Sequence, residues 1–230
     1  MRKKTCIVGF IVILILIADQ SLKVWVKSTF SLFDQPLNIA GTWFRIVYIE
    51  NPGMAFGTTF GASMWSKLAL SLFRVFAIGG IAYYWWKQAK NKASLEFLIA
   101  IGFIFSGAIG NLIDSMFYDL FFKFDPCMSF NQMEGSGVYQ VCSDYGRLQV
   151  RHQGFLFGNV VDMFQFNMRW PNWMPFLSGK DVFSAIWNLA DGSITVGVLM
   201  VLIRQRTYFP KEIKEQLISD KDLSVNDDHK

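Results

Sequence analysis

The sequence predicts a membrane protein, mainly α: a four-transmembrane-helix bundle with a small extracytoplasmic β platform and an enlarged second outer loop. Three observations predict it. The chain of 230 residues is 52% hydrophobic and 17% aromatic, with a mean hydropathy of +0.29, too apolar for an ordinary soluble domain. Its apolar windows at 5–25, 64–86, 95–117 and 183–203 approach the roughly 20 residues that cross a bilayer core. Finally, basic residues gather at alternate ends of those windows. Arg2, Lys3 and Lys4 precede the first, Lys87, Lys90 and Lys92 follow the second, and Arg204 and Arg206 follow the fourth. The positive-inside rule makes that side cytoplasmic, with both termini there and outer loops at about 27–63 and 118–182. Topology thus accounts for the net charge of +4, and no nucleic-acid partner is needed to explain it.

The first window has the layout of a signal peptide, but no small-residue cleavage site follows it and three further windows do, so it is expected to remain as an anchor. It ends in Ala18-Asp19-Gln20-Ser21-Leu22-Lys23, where Asp19 and Lys23 are spaced to pair on one helix face. Taken alone, that pair is an interfacial ion pair with a snorkelling lysine, worth only a few tenths of a kcal/mol. In the first outer loop, Thr42 to Glu50 is rich in aromatic and β-branched residues and reads as a strand. Asn51-Pro52-Gly53-Met54-Ala55-Phe56-Gly57 then reads as a turn. Together they suggest an amphipathic platform lying on the membrane.

Arg74 falls near the middle of the second window and needs a polar partner inside the bundle. Ser63 and Lys67 raise a weak serine and lysine dyad. The third window carries Gly102, Ser106, Gly107, Ala108 and Gly110, small residues that let helices approach closely in lipid, and ends in Asn111-Leu112-Ile113-Asp114. The second outer loop contains Cys127 and Cys142, which an oxidising compartment would allow to pair. It closes with Gly158-Asn159-Val160-Val161-Asp162, an acid among apolar neighbours. The fourth window opens with Asn188-Leu189-Ala190-Asp191, repeating the Asn and Asp spacing of 111 and 114. Residues 1–206 form the membrane unit, and 207–230 form a charged cytoplasmic tail. His152 and His229 are too far apart for a ligand set, and neither a metal nor a cofactor is expected.

Asp19, Lys23, Asn51, Asn111, Asp114, Asp162, Asn188 and Asp191 all fall at the outer membrane face once topology is assigned. Two carboxylates brought together in a partly dry site do not both ionise readily; one keeps a proton. Such a pair hydrolyses a peptide bond without metal. One acid takes a proton from water, and the other polarises the carbonyl and protonates the leaving amine.

The motifs Asp19-Gln20-Ser21-Leu22-Lys23, Asn51-Pro52-Gly53-Met54-Ala55-Phe56, Gly110-Asn111-Leu112-Ile113-Asp114, Val160-Val161-Asp162 and Asn188-Leu189-Ala190-Asp191 resemble, in this order, those of bacterial lipoprotein signal peptidase, or signal peptidase II. The resemblance spans nearly the whole chain to about Arg206. It implies a multi-pass enzyme of the bacterial inner membrane, an aspartyl endopeptidase that cuts diacylglyceryl-modified prolipoproteins before the lipidated cysteine at the outer face. It implies a catalytic pair at Asp162 and Asp191, with Asp19, Lys23, Asn51, Asn111, Asp114 and Asn188 supporting the site or binding substrate. Met54 and Phe56 are assigned to contact with lipid or signal peptide, and cyclic peptide inhibitors of the globomycin type are implied as ligands. Membrane lipids are the remaining partner.

Two departures stand out. Ser115 occupies the position where the family usually has arginine, and Arg147 or Arg151 are candidates to take its place. The residues 115–157 form an insertion between the Asp114 and Val160-Val161-Asp162 motifs that is normally a short turn. Two rival classes remain. A small transporter or proton channel would distribute its acids at several depths, and a non-catalytic lipoprotein-binding relative would have lost one aspartate of the pair.

Overall fold

The computed structural model describes residues 2–30, 35–52 and 63–209. Helix α1 (Arg2–Thr29) leads into strands β1 (Leu37–Ala40) and β2 (Phe44–Asn51). Helix α2 (Met64–Lys90) and helix α3 (Leu95–Phe121) follow, joined by a short link. Ser63 and Ser94 cap their N-termini, each accepting from the backbone N–H three residues on. A 3₁₀ turn (Ser129–Asn131) and strands β3 (Tyr139–Cys142) and β4 (Gly146–Gln149) come next. Strand β5 (Val160–Phe166), strand β6 (Ile186–Trp187), helix α4 (Leu189–Ile203) and the single turn α5 (Gln205–Tyr208) complete the chain.

Among the described residues, α1, α2 and α3 are long and apolar enough to cross a membrane. Large apolar side chains point outward from them, Phe10 and Leu14 on α1 and Phe73 and Phe76 on α2. Helix α3 is the central element, packed against α1, α2 and α4. A Cβ added at Gly107 would lie 2.2 Å from the Ala190 carbonyl oxygen, and one at Gly110 would lie 2.7 Å from Asp19 Oδ2. The small residues of α3 are therefore where α4 and the acidic end of α1 come close.

The fourth apolar window does not form the helix expected over 183–203. Helix α4 is 15 residues long and begins only at Leu189, giving about 22 Å of helix against a hydrocarbon core of roughly 30 Å. Two local features stop it from starting earlier. Ile186 and Trp187 pair with Gln165 and Phe164 as β6, and Asn188 and Asp191 form a reciprocal capping box. Helix α3 also runs past the expected end of its window, to Phe121, and this shortens the outer segment after it.

The main sheet is antiparallel with order β1-β2-β5-β6. The strand expected after Thr42 is β2, and β1 is an addition. In β5, Val161 and Met163 join Val26, Ile46 and Tyr118 in one buried cluster, so alternation puts Asp162 on the opposite face. The sheet is pinned to α1 by Lys27, whose Nζ meets Glu50 Oε1. The insertion is a folded lobe. Strands β3 and β4 form a hairpin, and a disulfide joins Cys127 to Cys142.

Candidate active site

Asp162 sits in the centre of the sheet, opposite Ile49 of β2, and is 3% exposed. It is neither an edge nor a turn residue. Its Oδ1 accepts from Asn188 Nδ2 at 2.6 Å and its Oδ2 from Asn51 Nδ2 at 3.3 Å. Asp191 lies in the first turn of α4, where the helix dipole favours negative charge. Its Oδ2 accepts from the Asn188 backbone N–H at 3.2 Å and its Oδ1 from Asn111 Nδ2 at 2.8 Å. Asn188 Nδ2 also donates to Asn111 Oδ1 at 3.2 Å. The two carboxylates are thus linked through a shared pair of amides, Asn188 and Asn111, which arrive from different helices.

Beneath these amides lies a buried ionic cluster. Lys23, fully buried, donates to Asn111 Oδ1 at 2.9 Å and pairs with Asp19 at 3.0 Å and Asp114 at 2.8 Å. The surface ion pair expected from the i, i+4 spacing is instead the floor of the site. One ammonium stands between two carboxylates, and further donors complete the set. The Ala190 N–H donates to Asp19 Oδ1 at 2.9 Å, the Val161 N–H to Asp114 Oδ2 at 3.3 Å, and Gln20 Nε2 to Asp114 Oδ1 at 3.0 Å. Breaking such a cluster by removing one partner typically costs about 3–5 kcal/mol, because the remaining charge stays buried. These bonds also fasten β5 and α4 to α1 and α3, next to Asp162 and Asp191 respectively.

Burial pushes the Asp162 carboxyl up to about 7, and the negative charge of Asp191 adds to the rise; the amides of Asn51 and Asn188 oppose it. Asp162 therefore keeps its proton to a higher pH than an ordinary carboxyl does. Two acids linked through the same amides, one of them holding a proton, can deliver and accept protons in one reaction.

Eight of the site residues named from the sequence, Asp19, Lys23, Asn51, Asn111, Asp114, Asp162, Asn188 and Asp191, are brought together in this one network. Met54 and Phe56 lie outside the described residues. Gln20, which stands beside Asp19 and carries no unusual signal in the sequence, also belongs to the site. It bonds Asp19, Asp114 and the Gly110 carbonyl, and Tyr118 Oη donates to its Oε1. Arg74 finds a partner in Ser115, with Nη1 donating to Oγ at 3.1 Å. A guanidinium thus reaches Ser115 from α2. Neither proposed replacement reaches that position, since Arg147 lies over the Tyr139 ring and Arg151 is buried against Asp119 and Asn131. The serine and lysine dyad is not formed: Ser63 caps α2, and Lys67 donates to the Pro52 carbonyl. Among the described residues no cluster of three His, Cys, Asp or Glu is arranged for a metal ion.

Comparison with known proteins gives the family. The family model described as signal peptidase (SPase) II matches residues 11–206. The chain is 35% identical over 203 residues to a lipoprotein signal peptidase of Porphyromonas gingivalis, covering 86% of this chain and 81% of the relative. It is 30% identical over 221 residues to that of Amoebophilus asiaticus, covering 94% and 84%. Its fold is similar to that of a bacterial membrane enzyme solved by the in meso method, with a TM-score of 0.57 at 21% identity over 90% of this chain and 93% of the other. The chain therefore belongs to the signal peptidase II family, the lipoprotein signal peptidases, and is a peptidase that removes signal peptides from prolipoproteins.

Proposed function

We propose that Asp162 and Asp191 are the catalytic pair of this peptidase and that its substrates are diacylglyceryl-modified prolipoproteins, cut before the lipidated cysteine. The observation that carries this assignment is the linkage of both carboxylates through Asn188 and Asn111, with the proton affinity of Asp162 raised by burial and by Asp191. Asp191 takes a proton from water as the oxygen attacks the scissile carbonyl carbon, while Asp162 gives its proton to the carbonyl oxygen. In the tetrahedral intermediate the roles reverse. Asp191 protonates the leaving nitrogen, the carbonyl reforms as the C–N bond breaks, and the released proton returns to Asp162. One water is consumed, and the pair ends in its starting state. Asn51, Asn111 and Asn188 orient the carboxylates, and Asp19, Lys23 and Asp114 hold the floor.

The chain is read as a four-span unit, residues 1–206, in the bacterial inner membrane, with both termini and the tail 207–230 cytoplasmic. The basic residues at 2–4, 87–92 and 204–206 support this orientation. Helix α4 serves as the fourth span, and the sheet and insertion then lie on the outer face. Met54 and Phe56 are assigned to the diacylglyceryl group; replacing Phe56 by a charged residue should weaken cleavage at limiting substrate more than it weakens folding. Globomycin-type cyclic peptides should compete with the substrate.

The deciding experiment is cleavage of a purified diacylglyceryl-prolipoprotein by the detergent-solubilised protein and by folded Asp162→Asn and Asp191→Asn variants. Cleavage before the lipidated cysteine by the parent and by neither variant is expected. A fully active variant would remove the pair from catalysis, and an inert parent would overturn the substrate assignment.

A further inference from the structure

The inserted lobe is joined to the site by a short run of backbone that leaves the hairpin at Arg151 and enters β5 with Asp162. This run lies along the last turns of α3 and is bonded to it at successive points. Arg151, 5% exposed, meets Asp119 of α3 with two parallel bonds, Nη1 to Oδ2 and Nη2 to Oδ1, each 2.7 Å. The Gly154 N–H donates to the same carboxylate at 3.2 Å. The Gly158 N–H donates to the Ser115 carbonyl at 2.9 Å, and the Val161 N–H to Asp114 at 3.3 Å. Asp119 and Ser115 are one helical turn apart, so these anchors line one face of α3.

The fit along this face is close. A Cβ on Gly158 would lie 2.4 Å from the Asp114 carbonyl oxygen, which lets only glycine pass there. Leu156 has φ +72, a conformation that a branched residue keeps only where its surroundings hold it. What holds it is visible, because its carbonyl accepts from the buried Ser71 Oγ of α2 at 2.7 Å. The other bonds of Arg151 tie the same point to the lobe, through Nε to Asn131 Oδ1 at 2.8 Å and Nη1 to the His152 and Phe157 carbonyls.

We propose that Arg151 and Asp119 are positioning residues for the peptidase reaction, a clamp that fixes the inserted lobe to the end of α3 and so sets where β5 presents Asp162. The inference rests on Asp162 belonging to the catalytic pair. It gives the insertion a mechanical part in the reaction, since its return limb is the backbone that carries the acid. A planar guanidinium suits the role, because two parallel bonds fix direction as well as distance.

The test compares the parent with Arg151→Met, Arg151→Lys and Asp119→Asn in the full chain, using a diacylglyceryl-prolipoprotein and recording kcat, KM and the pH dependence of kcat/KM. A displaced acid costs turnover more than substrate binding. Arg151→Met is expected to lower kcat by about a hundredfold with KM nearly unchanged, and Arg151→Lys, which restores charge but not the fork, by about tenfold. The alkaline limb of the profile, governed by Asp162 facing Asp191 of α4, Lys23 of α1, Asn51 of β2 and Asn188, should move to lower pH as the acid gains contact with water. A lobe that merely adds stability would lower the melting temperature and leave the limb in place. If Arg151→Met does not fold, Arg151→Lys and Asp119→Asn carry the same test with smaller shifts. Folded variants with parental kcat and an unmoved limb overturn the clamp while leaving the peptidase reading intact. Undiminished cleavage by Asp162→Asn would overturn the catalytic reading beneath it.

Discussion

Replacing Asp162 with Asn should abolish cleavage and at the same time stabilise the fold, by an amount that depends on pH. In the folded protein the carboxyl keeps its proton up to about 7, whereas its ordinary value is 3.8. Between those values the folded state binds more protons than the unfolded state, so the parent loses stability as pH rises through this window and levels off above it. Raising this carboxyl from 3.8 to about 7, at about 1.4 kcal/mol per tenfold change in proton affinity, makes the ionised parent at pH 8 less stable than the protonated parent by about 4 kcal/mol. Asparagine escapes that loss. Its oxygen can still accept from Asn188, but its amide then faces that of Asn51, and one hydrogen bond worth about 1 kcal/mol is forfeited. The variant should thus be about 1 kcal/mol less stable than the parent near pH 4 and about 3 kcal/mol more stable near pH 8. Equilibrium unfolding of both proteins in one detergent, followed across that range, measures the gap. A gap that stays constant with pH would show that Asp162 is not held protonated by its surroundings, and the division of roles between the two acids would fall with it.

Further outcomes follow from the same geometry. The pH profile of kcat/KM should fall on its alkaline side near 7, and Asp191→Asn, which removes the neighbouring charge, should lower the Asp162 titration seen by difference infrared spectroscopy of the carboxyl band. Lys23→Met should cost about 3–5 kcal/mol at neutral pH by leaving Asp19 and Asp114 facing one another; an unchanged melting temperature would contradict a buried cluster. Gly107→Ala should force α4 away from α3 at Ala190 and reduce kcat, whereas Gly79→Ala, with open space around its added Cβ, should be tolerated; equal effects would argue against close packing at the site. Arg74→Met should leave Ser115 without its guanidinium donor and reduce turnover, with a parental rate counting against any part for this arginine in the site.

Much of the site was legible before folding because polar groups in apolar surroundings are conspicuous. Asp162 among valines, Asp191 in a run of small and apolar residues, and Asn111 with Asp114 at the end of a span each had to be explained, and each joins the same network. Close contact between α3 and its neighbours was foreseeable for a similar reason, since glycine on a span leaves room for backbone. Other features gave weaker signals. Asp19 and Lys23 have the spacing of a surface pair, and periodicity does not distinguish a helix face turned to water from one buried against Gly110. Hydropathy likewise ran the fourth window back to Phe183, because a short strand of Ile and Trp is as apolar as the helix after it.

The sequence by itself therefore determined the membrane-protein family, the positions of the long apolar helices and the identity of the polar groups, since all of these depend on composition, order and local spacing. Tertiary structure decided which groups meet. Arg74 reaches Ser115 across two helices, Gln20 completes a cluster assembled from α1 and α3, and Arg151 is taken up by Asp119 in place of any substrate. It also decided the form of the insertion, stapled by Cys127 and Cys142 and fastened to α3 by its return limb. A hydrogen bond between residues far apart in the chain depends on distance and direction in space, and these exist only once helices and sheet have packed.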